Sequence, residues 1–312
     1  MRPGVACGIG LVLFVAALTE ALPAAGYEPP GLRPGDFWTY RTNTSLASGF
    51  FLEGTATLRV LARETRTVEG VSVDVYRLSL NGLGTANGRF DTDFGSTPAS
   101  GSWILTGEEL IESRGLKIVS SVLDLETNGT LHTEPVSLAF QLSVQNTTTV
   151  RFVDDTWRFP FQVGDSGAAD ARLNFSEDFR LFYGLPTTPF HSEGLAWQNV
   201  TYVAEAEVSV EAPAGSFDTV RIRRTYEDGT YVLSFHAPAA GNDARSETHN
   251  ESGALASAEL IAYRYQALEP SRFLGLTVGD WTIAGVAALA AVGSGAFWWD
   301  RRRRRRRSGP PP

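Results

Sequence analysis

The sequence predicts an all-β, antiparallel extracellular domain, a sandwich or barrel-like sheet, followed by one C-terminal transmembrane helix. Two observations carry this prediction. Between Gly26 and Asp280 no stretch sustains a 3.6-residue apolar period; short runs rich in Val, Ile, Thr, Tyr and Phe are broken by Gly, Asn, Asp and Pro. From Trp281 to Trp299 there are 19 residues without a charge. As a helix that run covers about 28 Å, close to the ~30 Å hydrocarbon core of a bilayer.

Taken in order, the chain opens with Met1-Arg2-Pro3, an apolar run from Val5 to Leu18, and small residues through Gly26. A positive start, a short apolar core and small residues at the cut site make residues 1–26 a secretory signal peptide. A spanning helix needs about 20 apolar residues, more than this run supplies. Residues 27–270 form the β-rich domain. Thr55–Ala62, Val71–Leu80, Leu138–Val144, Val200–Val203 and Val208–Val210 alternate apolar with polar residues, so each strand has one buried and one wet face. Hairpin turns are expected at Glu69-Gly70, Asn128-Gly129 and Asp228-Gly229, within about a dozen strands. A juxtamembrane segment (271–280), the helix (281–299) and a tail (300–312) follow.

The tail orients the chain. Trp281 sits at one rim of the helix and Trp298 and Trp299 at the other, where amphipathic rings favour the headgroup level. Arg301, Arg302, Arg303, Arg304, Arg305, Arg306 and Arg307 then form an unbroken run. Positive charge stays on the cytoplasmic side, so the chain is expected at the cell membrane as a single pass, N-terminus outside and C-terminus cytoplasmic. Such a run also fits a nuclear-localisation or nucleic-acid patch. Directly behind a spanning helix it reads as a stop-transfer anchor that attracts anionic lipid headgroups. The partner it implies is the lipid bilayer. Small residues from Gly285 to Gly295 would also permit a homodimer through the helix.

Charge and composition narrow the rest. Without Arg2 and the tail arginines 19 basic residues remain, against 33 acidic ones without Glu20 and Asp300, a net charge of −14 outside. An acidic exterior repels nucleic acid. Cys7, inside the signal, is the only cysteine, which excludes disulfides, thiolate metal sites and cysteine nucleophiles from the mature domain. Nine asparagines include six that open Asn-X-Ser/Thr triplets: Asn43, Asn128, Asn146, Asn174, Asn199 and Asn250. With Ser and Thr near a fifth of the domain, chance supplies roughly two, so the excess predicts N-glycosylation at exposed positions. Lys117 is the single lysine beside 26 arginines. Acceptor sites, no disulfides and this arginine bias together suggest an archaeal envelope.

An internal echo divides the domain at about 32–150 and 151–266. Pro34-Gly35-Asp36-Phe37-Trp38 returns as Val163-Gly164-Asp165 and again as Val278-Gly279-Asp280-Trp281. Strand–turn–strand segments also resemble one another without common origin. Leu32–Tyr40 resembles the PGDxWxY opening of a class of prokaryotic envelope proteins of unassigned function. Pro160–Asp165, Ala212-Pro213-Ala214-Gly215-Ser216-Phe217-Asp218 and Gly241–Arg245 resemble that class's FPxxVGD, VPAGTFD and GNxVR motifs. The resemblance implies a strongly curved antiparallel sheet, a half-barrel or open barrel, similar to lipoprotein-localisation carriers. It supplies no catalytic residues. Ser166 and Gly167 depart from the class, which places an aromatic after the second Gly-Asp.

No catalytic constellation stands out in the sequence. His132, His191, His236 and His249 are too far apart in sequence for a local zinc pair. No Gly-X-Ser-X-Gly elbow is present. Asp91-Thr92-Asp93 resembles the start of a calcium loop, but Gly95 and Ser102 stand where an EF-hand needs ligands. Glu108-Glu109 and Asp154-Asp155 read as solvated faces, and His249, beside an acceptor asparagine, as a loop residue. No cofactor is implied. Trp38, Trp103, Trp157, Trp197 and the aromatics from Phe175 to Phe190 suit core packing, or the lining of a pocket in a concave sheet. The expected function is therefore non-enzymatic: a surface binding module for a lipid-like or apolar ligand. The alternatives are a structural coat component and, more distantly, a hydrolase with a dispersed site.

Overall fold

The computed structural model describes residues 30–266, apart from 47–48, 93–94, 134, 158 and 184–188. The signal peptide (1–26), the juxtamembrane segment and helix with Trp281, Trp298 and Trp299, the tail Arg301–Arg307 and Asp93 lie outside the described residues. No helix among those described is long and apolar enough to cross a membrane.

Twelve strands follow one another: β1 (Phe37–Leu46), β2 (Phe50–Val68), β3 (Val71–Thr92), β4 (Gly95–Glu112), β5 (Ile118–His132), β6 (Ser137–Asp155), β7 (Ser166–Phe182), β8 (Phe190–Ala212), β9 (Gly215–Tyr226), β10 (Tyr231–Ala237), β11 (Asn242–Asn250) and β12 (Gly253–Arg264). Each pairs antiparallel with the next, and β1 closes on β12 from Phe37↔Arg264 to Thr44↔Ala256. The expected half-barrel or open barrel is thus corrected to a closed twelve-stranded barrel. The physical reason lies in that last ladder. An open sheet leaves two strands with bare N–H and C=O groups, and pairing the first strand with the last removes both edges.

Up-and-down order gives the barrel two distinct ends. Both ends of the barrel's chain, Phe37 and Arg264, lie at one end with the β2–β3, β4–β5, β6–β7, β8–β9 and β10–β11 connections. The β1–β2, β3–β4, β5–β6, β7–β8, β9–β10 and β11–β12 connections mark the far end. Two of the three expected turns are present: Glu69 (φ 45°) and Gly70 (φ 80°) form a two-residue loop between Val68 and Val71, and Asp228-Gly229 lies between β9 and β10. Asn128-Gly129 instead runs mid-strand in β5, paired with Gln141-Phe140 and Ser102-Gly101.

Alternation sorts the side chains. Leu58, Leu80, Leu105, Leu125, Leu142 and Leu260 point inward and are fully buried. The outer wall carries cross-strand ion pairs, Arg41–Glu259 at 2.6 Å, Arg77–Glu108 at 3.2 Å and Arg221–Glu205 at 2.7 Å. Barrels that span membranes with their strands show the opposite arrangement, apolar outside and polar inside. Here the ion pairs share the outer wall with exposed apolar residues such as Leu83, Ile104 and Trp197.

Eight strands already enclose an interior that side chains can fill. With twelve, filling requires the walls to approach one another. Phe50 of β2 meets Phe140 of β6 edge-on at 6.2 Å, and Phe217 of β9 meets Tyr263 of β12 at 5.8 Å. Neither pair of strands is adjacent in the sheet, so inward side chains of non-neighbouring strands meet inside the barrel at these two places.

The two Gly-Asp turns have the same geometry. Gly35 (φ 95°) donates to Val60 O at 2.8 Å, and Val60 N donates to Asp36 O at 2.9 Å. Gly164 (φ 96°) donates to Ala204 O at 2.8 Å, and Ala204 N donates to Asp165 O at 2.9 Å. Each turn opens a strand whose partner bulges at the next residue, between Val60 and Ala62 or between Ala204 and Ala206. Where Trp38 follows the first turn, Gly167 follows the second. There the indole of Trp157 arrives from the preceding loop and stacks on Tyr202 at 5.2 Å. A Cβ at Gly167 would come within 2.9 Å of the Trp157 backbone. The departure read from sequence is therefore a substitution of source: the aromatic comes from ten residues upstream.

Candidate functional site

The motif turns build the end of the barrel that holds both chain ends. Asp36, nearly buried, accepts the N–H of Arg33 at 2.8 Å through one oxygen and that of Gln266 at 3.0 Å through the other. Asp165 caps its own turn in the same way, from Gln162 N at 2.7 Å, but is exposed. Trp38 donates from Nε1 to Ala240 O at 2.6 Å, fastening β1 to the β10–β11 hairpin. Pro213 and Ala214 form the β8–β9 turn before Gly215 (φ 138°). Ala214 N donates to Leu260 O at 3.0 Å, at the bulge where β12 leaves register with β1. Phe217 packs inward on Tyr263, while Asp218 faces out and accepts from Ser209 Oγ at 3.0 Å. The motif residues thus close and cap the barrel.

Beneath this cap lies a titratable cluster that sequence reasoning did not assemble. His236 and Asp243 are cross-strand partners on β10 and β11, both buried, with Nδ1 and Oδ1 3.6 Å apart. That separation makes an electrostatic contact rather than a hydrogen bond. Among the described residues neither carboxyl oxygen of Asp243 has a hydrogen-bond partner, nor does the buried hydroxyl of Tyr40. Burial, then the charge of Asp243, hold the Tyr40 phenol well above its ordinary value. Burial lowers His236, and the opposing pull of Asp243 is smaller, so the imidazole is neutral at neutral pH. The group has titratable members, but wholly inside the packed wall. Its chemistry is that of a polar core.

Two further acidic residues correct the reading of the acidic pairs as solvated faces. Glu108 is exposed, yet Glu109 is only 1 % exposed and points inward opposite Ser121. Burial pushes its carboxyl well above the usual carboxylate range, so at the unfolded group's midpoint it is protonated. The signal was present, since Glu109 is in phase with the inward Trp103 and Leu105. Asp154 is exposed, but Asp155 binds the ammonium of the buried Lys117, which also donates to Trp157 O at 2.8 Å. That ammonium lies 5.3 Å from the Phe152 ring and 5.9 Å from Tyr202.

The remaining histidines stay apart. His132 bonds Ser100 Oγ at 2.8 Å, His191 lies 3.2 Å from Asp178, and His249 stacks on Tyr231 at 4.9 Å. His249 is a strand residue of β11, not a loop residue. Among the described residues no group of three or more His, Cys, Asp or Glu side chains is placed to hold a metal ion. Trp38, Trp103 and Trp157 are core residues, whereas Trp197 is 63 % exposed on the outer face of β8. Phe175 and Tyr183 are buried and Phe182 is exposed.

Five of the six acceptor asparagines lie on the outer wall or the far rim. Asn43, Asn128 and Asn174 are exposed, and Asn199 and Asn250 are partly so. Asn146 points inward, 2 % exposed, and its Oδ1 accepts from Thr148 at 2.8 Å. The outer five occupy the middle of β7 and β8 or the far-end portions of β1, β5 and β11. Compared with known proteins, the chain matches no family model, no curated protein and no solved structure.

Proposed function

We propose that this protein is a single-pass, N-glycosylated cell-surface protein whose barrel is a structural module of the envelope. Its outer wall and far rim would make the contacts. One observation favours a structural module over a lipid carrier: inward aromatics of non-neighbouring strands, Phe50 with Phe140 and Phe217 with Tyr263, meet inside the barrel. The open concave face on which an apolar ligand was expected to lie is closed by the β1–β12 ladder.

The placement of the acceptor asparagines supports the topology. Fourteen positions separate Gln266 from Trp281, so an anchor there sets the end with both chain ends toward the bilayer. The five outward asparagines are in the middle of the wall or near the opposite end, where glycans would project into solvent and away from the membrane. The acidic surface gives such a module solubility and mutual repulsion.

Glycopeptide mass spectrometry on the chain isolated from the cells that make it tests this reading. It expects glycans at Asn43, Asn128, Asn174, Asn199 and Asn250 and none at Asn146. Unmodified peptides at all six overturn it. Native mass spectrometry on the same material addresses the carrier reading, which a stoichiometric co-purifying lipid would favour.

A further inference from the structure

The outer face of β7 and β8 holds the most exposed aromatic ring of the described wall. Three consecutive cross-strand pairs lie there: Asn174 with Leu195, Arg172 with Trp197, and Asp170 with Asn199. Leu195 is 58 % exposed and Trp197 63 %. Isolated exposed apolar residues are ordinary. An exposed leucine and indole two residues apart on one face, with an acceptor asparagine at each end of the patch, are less easily passed over.

We propose that this patch is the seat of the chain's own N-linked sugar at Asn199. The inference rests on the glycosylation reading above. Trp197 and Asn199 are two residues apart on one strand, so their Cβ atoms are about 7 Å from each other on the same face. The first sugar of a glycan on Nδ2 is of that size. Asn199 Nδ2 donates to Asp170 Oδ1 at 2.5 Å. Glycosylation leaves one N–H on Nδ2, and with that hydrogen turned toward Asp170 the bond holds the amide on the wall. The apolar C–H face of a pyranose then covers the indole, whose π-face carries negative charge density and attracts C–H edges. The hydroxyls stay in water, and Arg172 is the cross-strand partner of Trp197. Asn174 is diagonal to Trp197 across the ladder, roughly 7–8 Å away, and its glycan would border the same patch on the Leu195 side.

The test is a double-mutant cycle on the full chain, purified in detergent from a host that N-glycosylates, with glycopeptide analysis of each protein. Asn199→Gln is expected to lower the melting temperature by about 2 °C in the otherwise native chain, the shift that a modest surface contact makes in a domain of this size. In a Trp197→Ala background the same change is expected to have no effect. Trp197→Phe, which keeps an aromatic face, restores most of the shift. If Asn199 carries a glycan and Asn199→Gln costs the same with and without the indole, the sugar does not sit on Trp197 and the inference is overturned. If no peptide of the chain carries a glycan, the underlying reading fails as well, and the two failures are thereby told apart.

Discussion

Asp36 Oδ1 accepts the backbone N–H of Gln266 at 3.0 Å, across 230 positions of sequence. Through its other oxygen Asp36 holds Arg33 N, so one carboxylate ties the segment entering β1 to the segment leaving β12. The ladder between those two strands closes the barrel, and Asp36 fastens the ladder at its open end.

Removing that fastener has a predictable cost. Hydrogen bonds to a charged acceptor contribute about 1.5–3 kcal/mol each, and Asp36 accepts two in a nearly buried site. Asp36→Ala should therefore destabilise the barrel by about 3 kcal/mol in urea denaturation. The equivalent Asp165→Ala, exposed and capping only its own turn, should cost about 1 kcal/mol. Equal losses would show that the link to Gln266 contributes nothing.

Closure itself is open to a covalent test. Arg41 and Glu259 are direct cross-strand partners on the outer face of β1 and β12, within the Cα separation a disulfide accepts. The double variant Arg41→Cys/Glu259→Cys, in a chain whose only other cysteine is Cys7, should oxidise to an intramolecular disulfide in high yield. A reduced pair under oxidising conditions means the barrel is open.

Glu109 gives the barrel a pH dependence of defined sign. Its folded carboxyl titrates well above its ordinary value because it is buried. The stability it contributes is present below the unfolded pKa, near 4.5, and is lost as pH rises toward the folded value. Up to about 1.4 kcal/mol is lost per pH unit in that window. Glu109→Gln should remove this slope and raise stability at pH 7 by roughly 1–3 kcal/mol. An unchanged pH profile would show that the acid is solvated.

His236 contributes the opposite slope. Burial lowers its folded pKa below the ordinary 6.5, so the unfolded chain takes up a proton that the folded chain does not. Stability from this group is therefore complete above about 6.5 and falls as pH drops. Asp243 lies 3.6 Å from it, and the same carboxylate adds to burial in raising the Tyr40 phenol. His236→Asn should flatten the acid limb of the profile below pH 6.5 while leaving the Glu109 limb in place. A steeper acid limb in the variant contradicts the assignment.

Much of this architecture was legible from residue spacing, because alternation and turn chemistry are local. Val71–Leu80 and Leu138–Val144 are strand segments as expected, and Glu69-Gly70 makes its hairpin. Closure was not legible. The pairing of Phe37 with Arg264 is a contact between opposite ends of the domain, and no local pattern distinguishes it from an edge facing solvent. Asn128-Gly129 misled for a related reason: its turn-forming preference is overridden by ladders on both sides. The Tyr40–His236–Asp243 cluster joins three strands through register and bulges, and such shifts leave no mark in sequence. Glu109, by contrast, could have been found by carrying the alternation from Trp103 through Ile111.

The account's central claim, a barrel held outside the cell by one helix, is tested most directly by cysteine labelling on intact cells. In a Cys7→Ser background, Glu227→Cys lies in the exposed β9–β10 turn at the far end of the barrel. Ser308→Cys follows the arginine run. A membrane-impermeant maleimide should label Glu227→Cys on intact cells and Ser308→Cys only after lysis. Labelling of Ser308→Cys on intact cells, or protection of Glu227→Cys until lysis, contradicts the orientation and the surface role built on it.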